Sequence, residues 1–200
     1  MSETQTEAAT GRGKLGMWLF LLTEIMLFGG LFLLYLAYRV GHAAEFEVAS
    51  RELNRVFGTL NTAILLTSSM FVALAVHTAE HGSPARARLF LGAAILLGLG
   101  FLGVKAVEWT EKIRHGLYPS APHLLELGDG QTLYFGLYWL MTGLHALHVI
   151  GGATALAVVS RRLRGAPGEH ELVILDNAGL YWHLVDLIWI FLFPLFYLIS

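Results

Sequence analysis

The chain has 200 residues, of which 56% are hydrophobic and 14% charged, with a net charge of -2 and no cysteine. An ordinary soluble domain carries roughly 25% charged residues. This composition therefore excludes a soluble globular enzyme, and without a basic run it excludes nucleic acid as a partner. The missing cysteine removes disulfides, thiolate metal sites, cysteine nucleophiles and iron–sulfur clusters together.

Residues 1–15 are small and polar and are predicted to be a mobile cytoplasmic tail. The apolar block that follows has about 25 residues, longer than the roughly 7–15 of a signal-peptide core, so it reads as a retained helix. A helix needs roughly 20 apolar residues to cross a ~30 Å hydrocarbon core. Five blocks meet that length, at about residues 16–40, 57–79, 89–109, 133–160 and 178–199, and together they make one transmembrane domain over 16–200. The connections carry charge and turn residues, such as Gly82-Ser83-Pro84, Tyr118-Pro119, Gly128-Asp129-Gly130 and Gly165 to Gly168. The predicted fold is an all-α membrane protein of five crossings.

Orientation follows from Lys and Arg. Arg12, Lys14, Arg86, Arg88, Arg161, Arg162 and Arg164 fall on the side of the N-terminus, against Arg39, Arg51, Arg55, Lys112 and Arg114 opposite. The bias predicts an inner N-terminus and an outer C-terminus. The cluster Arg161, Arg162 and Arg164 is also a candidate site for an anionic lipid headgroup.

A charge at the bilayer centre costs about 2.5–3.5 kcal/mol on insertion scales, so ionisable residues within the spans must be paired, bonded or functional. The spans hold Glu24, His77, Lys105, Glu108, His145, His148, His183 and Asp186. At ~1.5 Å per residue, Glu24 and Asp186 share one inner layer ~12 Å deep, with His183 one turn away on the face of Asp186. These three are expected to form an inner polar cluster. His145 and His148, three apart, are expected to point one way. His77 and Glu108 read as interfacial, Lys105 as snorkelling outward, and Trp109, Tyr134, Tyr138 and Tyr181 as an aromatic belt. The alternative for the His and Glu set is a metal or haem site. Against a di-iron centre, no repeated Glu-x-x-His is present; haem ligation needs only one or two His.

Five stretches, in order and each on its own span, resemble subunit III of the haem-copper oxidases. They are WLFLLTEIMLFGGLFLLYLAY (Trp18–Tyr38), LNTAILLTSSMFVALAVH (Leu60–His77), VKAVEW (Val104–Trp109), TGLHALHV (Thr142–Val149) and YWHLVDLIW (Tyr181–Trp189). The resemblance covers about residues 15–199 and fits a five-helix form. It implies a bundle with a V-shaped, lipid-holding cleft, packed on the catalytic subunit I and accompanied by a copper-binding subunit II. It also implies no metal or redox centre in this chain, with haem and copper in partner subunits, phospholipid bound, and no catalytic residue here. Glu24, Glu108, His145, His148, Trp182, His183, Asp186 and Trp189 take structural or lipid-contacting positions by this resemblance. The implied function is that of an accessory subunit of a proton-pumping oxidase in the bacterial inner (cytoplasmic) membrane, which reduces O₂ with electrons from cytochrome c. There it would stabilise the catalytic subunit and support proton uptake. Two other readings compete: an accessory protein of a nitric oxide reductase and, from another class, a small proton channel or transporter.

Overall fold

A computed structural model describes residues 3–163 and 167–199, with side chains from residue 13 onward; Arg164 lies outside the described residues. The described residues are helical, without strands. The elements are α1 (Glu3–Gly41), α2 (Ala43–Ser50), α3 (Arg55–Glu80), α4 (Pro84–Arg114), α5 (Pro122–Glu126), α6 (Asp129–Arg162) and α7 (Glu169–Tyr197). Among them, α1, α3, α4, α6 and α7 are long and apolar enough to cross a membrane.

Each spanning helix begins before the apolar block that announced it. Hydropathy marks only the part that sits in hydrocarbon, whereas backbone hydrogen bonding continues into polar turns. At 34 residues, α6 is roughly 51 Å long, well beyond a ~30 Å core. Two expectations change as a result. The segment taken as a tail, residues 1–15, is helical from Glu3, since no proline interrupts it. The last helix starts at Glu169, with Glu169 and Glu171 in its first turn, where acids complement the helix dipole.

The boundaries have local causes. The Asn54 side chain caps α3, its Oδ1 accepting from the Val56 amide at 2.9 Å. Pro84 opens α4 at a position where a missing N–H costs nothing. Between them Gly82 takes φ +71°, and its amide and that of Ser83 bond the carbonyls of Ala79 and Thr78. That closes α3 with a left-handed C-terminal turn suited to glycine.

Packing centres on Trp182 of α7, which is fully buried. Its indole lies against Gly98 of α4 and Gly152 of α6; a Cβ on either glycine would stand 2.7 Å from the ring. Its Nε1 donates to Ser68 Oγ of α3 at 3.1 Å, and Ser68 Oγ donates to the Ala94 carbonyl of α4 at 3.0 Å. One side chain thus joins four helices. In hydrocarbon, where apolar surface gains little by leaving lipid, such close small-residue contacts and interhelical bonds hold helices together.

The end of the bundle at the α7 C-terminus is closed by aromatic residues. Phe46 of α2 is buried between Tyr35 and Tyr134, with ring centroids at 5.3 and 5.4 Å. The hydroxyls of Tyr35 and Tyr134 donate to the carbonyls of Leu195 and Phe196, both at 2.7 Å. Those carbonyls belong to the last turn of α7, which has no intrahelical donors left to offer. Tyr134 and Tyr138 are fully buried and do not form an interfacial belt, because their hydroxyls find partners inside.

Candidate functional site: the polar interior

The ionisable residues within the spans separate into three groups. The first is a closed network. Lys105 Nζ donates to Glu108 Oε2, Tyr138 Oη and Tyr197 Oη, each at 3.0 Å. Tyr197 in turn donates to Glu108 at 2.7 Å. The ammonium's three protons all have acceptors. The rings of Tyr138 and Trp189 lie 4.8 and 5.5 Å from Nζ, within cation–π reach. Lys105 is 1% exposed and Glu108 is fully buried. Lys105 therefore does not snorkel and Glu108 is not interfacial. The spacing Lys105-x-x-Glu108 on one helix face was the signal that the two would satisfy each other.

The second group ties α1 to α6. His148 Nε2 bonds Glu24 Oε2 at 2.7 Å, and His148 Nδ1 donates to the Leu144 carbonyl at 2.7 Å. With Nδ1 carrying a proton, either the glutamic acid donates to Nε2 or an imidazolium donates to the carboxylate. Phe28 packs edge-on against the same imidazole at 5.3 Å.

The third group lines the α3–α7 contact. His183 Nδ1 is 2.6 Å from Ser69 Oγ. Asp186 is buried and neither carboxyl oxygen has a hydrogen-bond partner, although Ser69 is its neighbour too. Glu24 makes no hydrogen bond to His183 or Asp186 among the described residues. The expected inner cluster of those three does not form, because equal depth does not set facing: Glu24 looks to α6 and Asp186 to α3. His145 and His148 also part company. His145 is fully buried, stacked on Trp189 at 5.3 Å with Phe101 at 5.5 Å, and neither ring nitrogen is bonded. Three residues apart on a helix still leaves ~60° between side chains, enough here to aim one inward and one at α1.

His145, His148, His183, Glu24 and Glu108 do not converge on one point. Among the described residues, the one group of three metal-type ligands within 4.8 Å of one another is His77, Glu80 and His81, all exposed at the end of α3. Glu80 and His81 were not singled out by sequence reasoning; the order His-x-x-Glu-His was the available signal.

Two apolar grooves flank α1. One, of about 550 Å³, runs between α1 and the α6–α7 pair, with Met17, Phe20, Gly151 and Tyr181 on its walls and Arg162 at its end. The other, of about 250 Å³, lies between α1 and α7 and includes Phe28, Gly29, Phe32 and Phe191. Arg161 is exposed beside Arg162.

Comparison with known proteins agrees with this arrangement. The family described as Cytochrome c oxidase subunit III matches residues 2–200. Cytochrome c oxidase subunit 3 of Corynebacterium diphtheriae is 32% identical over 100% of this chain and 96% of its own. Cytochrome bo(3) ubiquinol oxidase subunit 3 of Pseudomonas aeruginosa is 29% identical over 95% of this chain and 86% of its own. The heme-copper oxidase subunit I+III of Aeropyrum pernix is 29% identical over 92% of this chain and 22% of its own. The five spans, their order and this match over nearly every residue establish that the chain belongs to the cytochrome c oxidase subunit III family.

Proposed function

We propose that this chain serves a terminal oxidase that takes electrons from cytochrome c, reduces O₂ to water and pumps protons across the bacterial inner membrane. As a family member it is a multi-pass, non-catalytic accessory subunit of a haem-copper oxidase complex. The observation that carries the reading is the family match over residues 2–200, together with a cytochrome c oxidase relative aligned over 100% of this chain and 96% of its own. Haem and copper supply the oxygen chemistry in partner subunits. This chain's own polar residues are spent on each other: Lys105 on Glu108 and two tyrosines, Glu24 on His148. The relative that carries subunits I and III in one chain supports direct packing against subunit I. Subunit II completes the set of partners. We place the N-terminus in the cytoplasm on the Lys and Arg bias.

The grooves beside α1 suit phospholipid tails, with Arg162 and Arg161 near the headgroup level of the same end. Through Glu24 and His148, α1 forms one wall of this cleft, which braces the catalytic subunit and supports its proton uptake. The bo(3) relative favours a second reading, in which the donor is a quinol.

Capture of the native complex through a tag on this chain tests both. Haem bands with a copper-containing subunit and oxidation of reduced cytochrome c are expected. Turnover with quinol alone, without copper in subunit II, selects the second reading. A c-type cytochrome with nitric oxide turnover overturns both, and a colourless chain captured alone, conducting protons in liposomes, moves it to a channel or transporter.

A further inference from the structure

We infer that the end of α3 is a binding site for one borderline divalent cation of the Zn²⁺ class, held by His77, Glu80 and His81. The ligand atoms of these three side chains lie within 4.8 Å of one another, and all three are exposed. His77 and His81 are four apart on one helix face, the spacing that lets two imidazoles reach a single ion. Glu80 adds a carboxylate, giving the two-histidine, one-carboxylate set that Zn²⁺ accepts with a water in the fourth position.

Three further features favour a cation there. First, His81 Nδ1 is bonded to the His77 carbonyl at 2.8 Å. A carbonyl only accepts, so Nδ1 carries the proton and Nε2 keeps its lone pair for a metal. This is the outer-shell bond that orients ligating imidazoles. Second, His81 is the C-cap of α3, and the negative end of the helix dipole is directed at a cation in that place. The turn through Gly82 at φ +71° fixes the cap. Third, His77 and Glu80 open onto a cleft of about 240 Å³ between α3 and α7, whose α7 wall carries Asp176 and His183. Asp176 adds negative charge on the approach to the ion. His183 uses Nδ1 on Ser69, which leaves Nε2 toward the cleft.

None of these groups takes part in the Lys105 network or in the Glu24–His148 bond, and the inference does not depend on which donor the oxidase uses. The His-x-x-Glu-His order sits on an exposed helix end, and its three side chains all fit the role of ligands.

The test uses the assembly captured through a tag on this chain, stripped with a chelator and titrated with Zn²⁺ alone. Tight equivalents are counted by equilibrium dialysis and elemental analysis, and the bound metal is read by X-ray absorption. The wild type is expected to bind one equivalent that is missing from a His77→Ala, His81→Ala variant, with imidazole scattering in the wild-type spectrum. Glu80→Gln removes a ligand and should weaken that equivalent at least about tenfold, since losing even an outer-shell partner costs a metal site about that much. His81→Asp, which restores an oxygen ligand, should retain it. All three positions are exposed, so size exclusion should show the same assembly for each variant. An equal zinc count and affinity in wild type and double variant overturns the inference. So does an equal loss on replacing His170, which is exposed outside the ligand group.

Discussion

Removing the Glu108 charge from the Lys105 network should destabilise the chain far more than replacing the whole network, both ions and both tyrosine hydroxyls, by apolar side chains. In Glu108→Leu, Lys105 stays 1% exposed with an ammonium bonded only to two tyrosine hydroxyls. Breaking a buried pair from one side costs about 3–5 kcal/mol, more than a hundredfold in the folded fraction at about 1.4 kcal/mol per tenfold. In Lys105→Met with Glu108→Leu, no charge is left. The remaining cost is the unpaired Tyr138 and Tyr197 hydroxyls, about 1–3 kcal/mol for each buried group left unsatisfied. Adding Tyr138→Phe and Tyr197→Phe should remove that cost as well. The assay is reversible unfolding of the full chain in mixed micelles by added SDS, followed through the near-ultraviolet signal of Trp182 and Trp189. A double-mutant cycle should give a coupling of about 2–3 kcal/mol, the upper range for contacting residues. Single effects that add to within about 0.5 kcal/mol would mean that Lys105 reaches water or headgroups, and the buried network would be refuted.

The other predictions use the same unfolding assay. Gly98→Ala and Gly152→Ala each place a Cβ 2.7 Å from Trp182 and should cost about 1–3 kcal/mol by overpacking; in a Trp182→Leu background that penalty should largely vanish, and its persistence would show that the glycines matter for another reason. Glu24→Gln keeps a donor for His148 and should leave α1 docked. Glu24→Leu should cost about 0.6–1.7 kcal/mol, the range for interhelical bonds in a bilayer, and raise hydrogen exchange in α1 selectively; uniform exchange across all helices would refute that assignment. Asp186→Leu removes a buried carboxyl with no hydrogen-bond partner and should leave stability unchanged or raised. A loss above about 2 kcal/mol, the scale of a broken buried bond, would show that the carboxyl is satisfied after all.

Much of the fold is legible in the sequence because a bilayer imposes a length and a polarity that a hydropathy scan reads directly. The five crossings and the exposed position of His77 follow from that constraint alone. What a scan cannot give is rotation about each helix axis. Glu24 and Asp186 lie at similar depth yet face different neighbours, and the Lys105 ammonium turns inward because Glu108, Tyr138 and Tyr197 meet it from three helices. Only tertiary packing brings Tyr138, at 33 residues' separation, and Tyr197, at 92, to the same nitrogen. The short helix α2 was hidden for a different reason. Its Phe46 is buried by aromatic neighbours from α1 and α6, not by any pattern of its own.

The helices also differ in how they are held, and the difference bears on function. Of the most apolar window of α7, 50% is buried within the chain, against 17% for α1. α7 is clamped by Trp182 between glycines of two neighbours, where an added Cβ would stand 2.7 Å from the ring. α1 leans across two apolar grooves and, among the described residues, is fastened by two long-range side-chain bonds, Glu24 to His148 and Tyr35 to the Leu195 carbonyl. On the proposed lipid-holding reading, a helix fixed at two heights with open grooves beside it would admit acyl chains without disturbing the clamp. On the same reading, the exposed Leu22, Ile25, Met26 and Leu33 of α1 would face lipid or the catalytic partner. On the proposed function, a rigid core beside one lightly fastened helix would give the accessory subunit a fixed surface for its complex and an adaptable one for lipid.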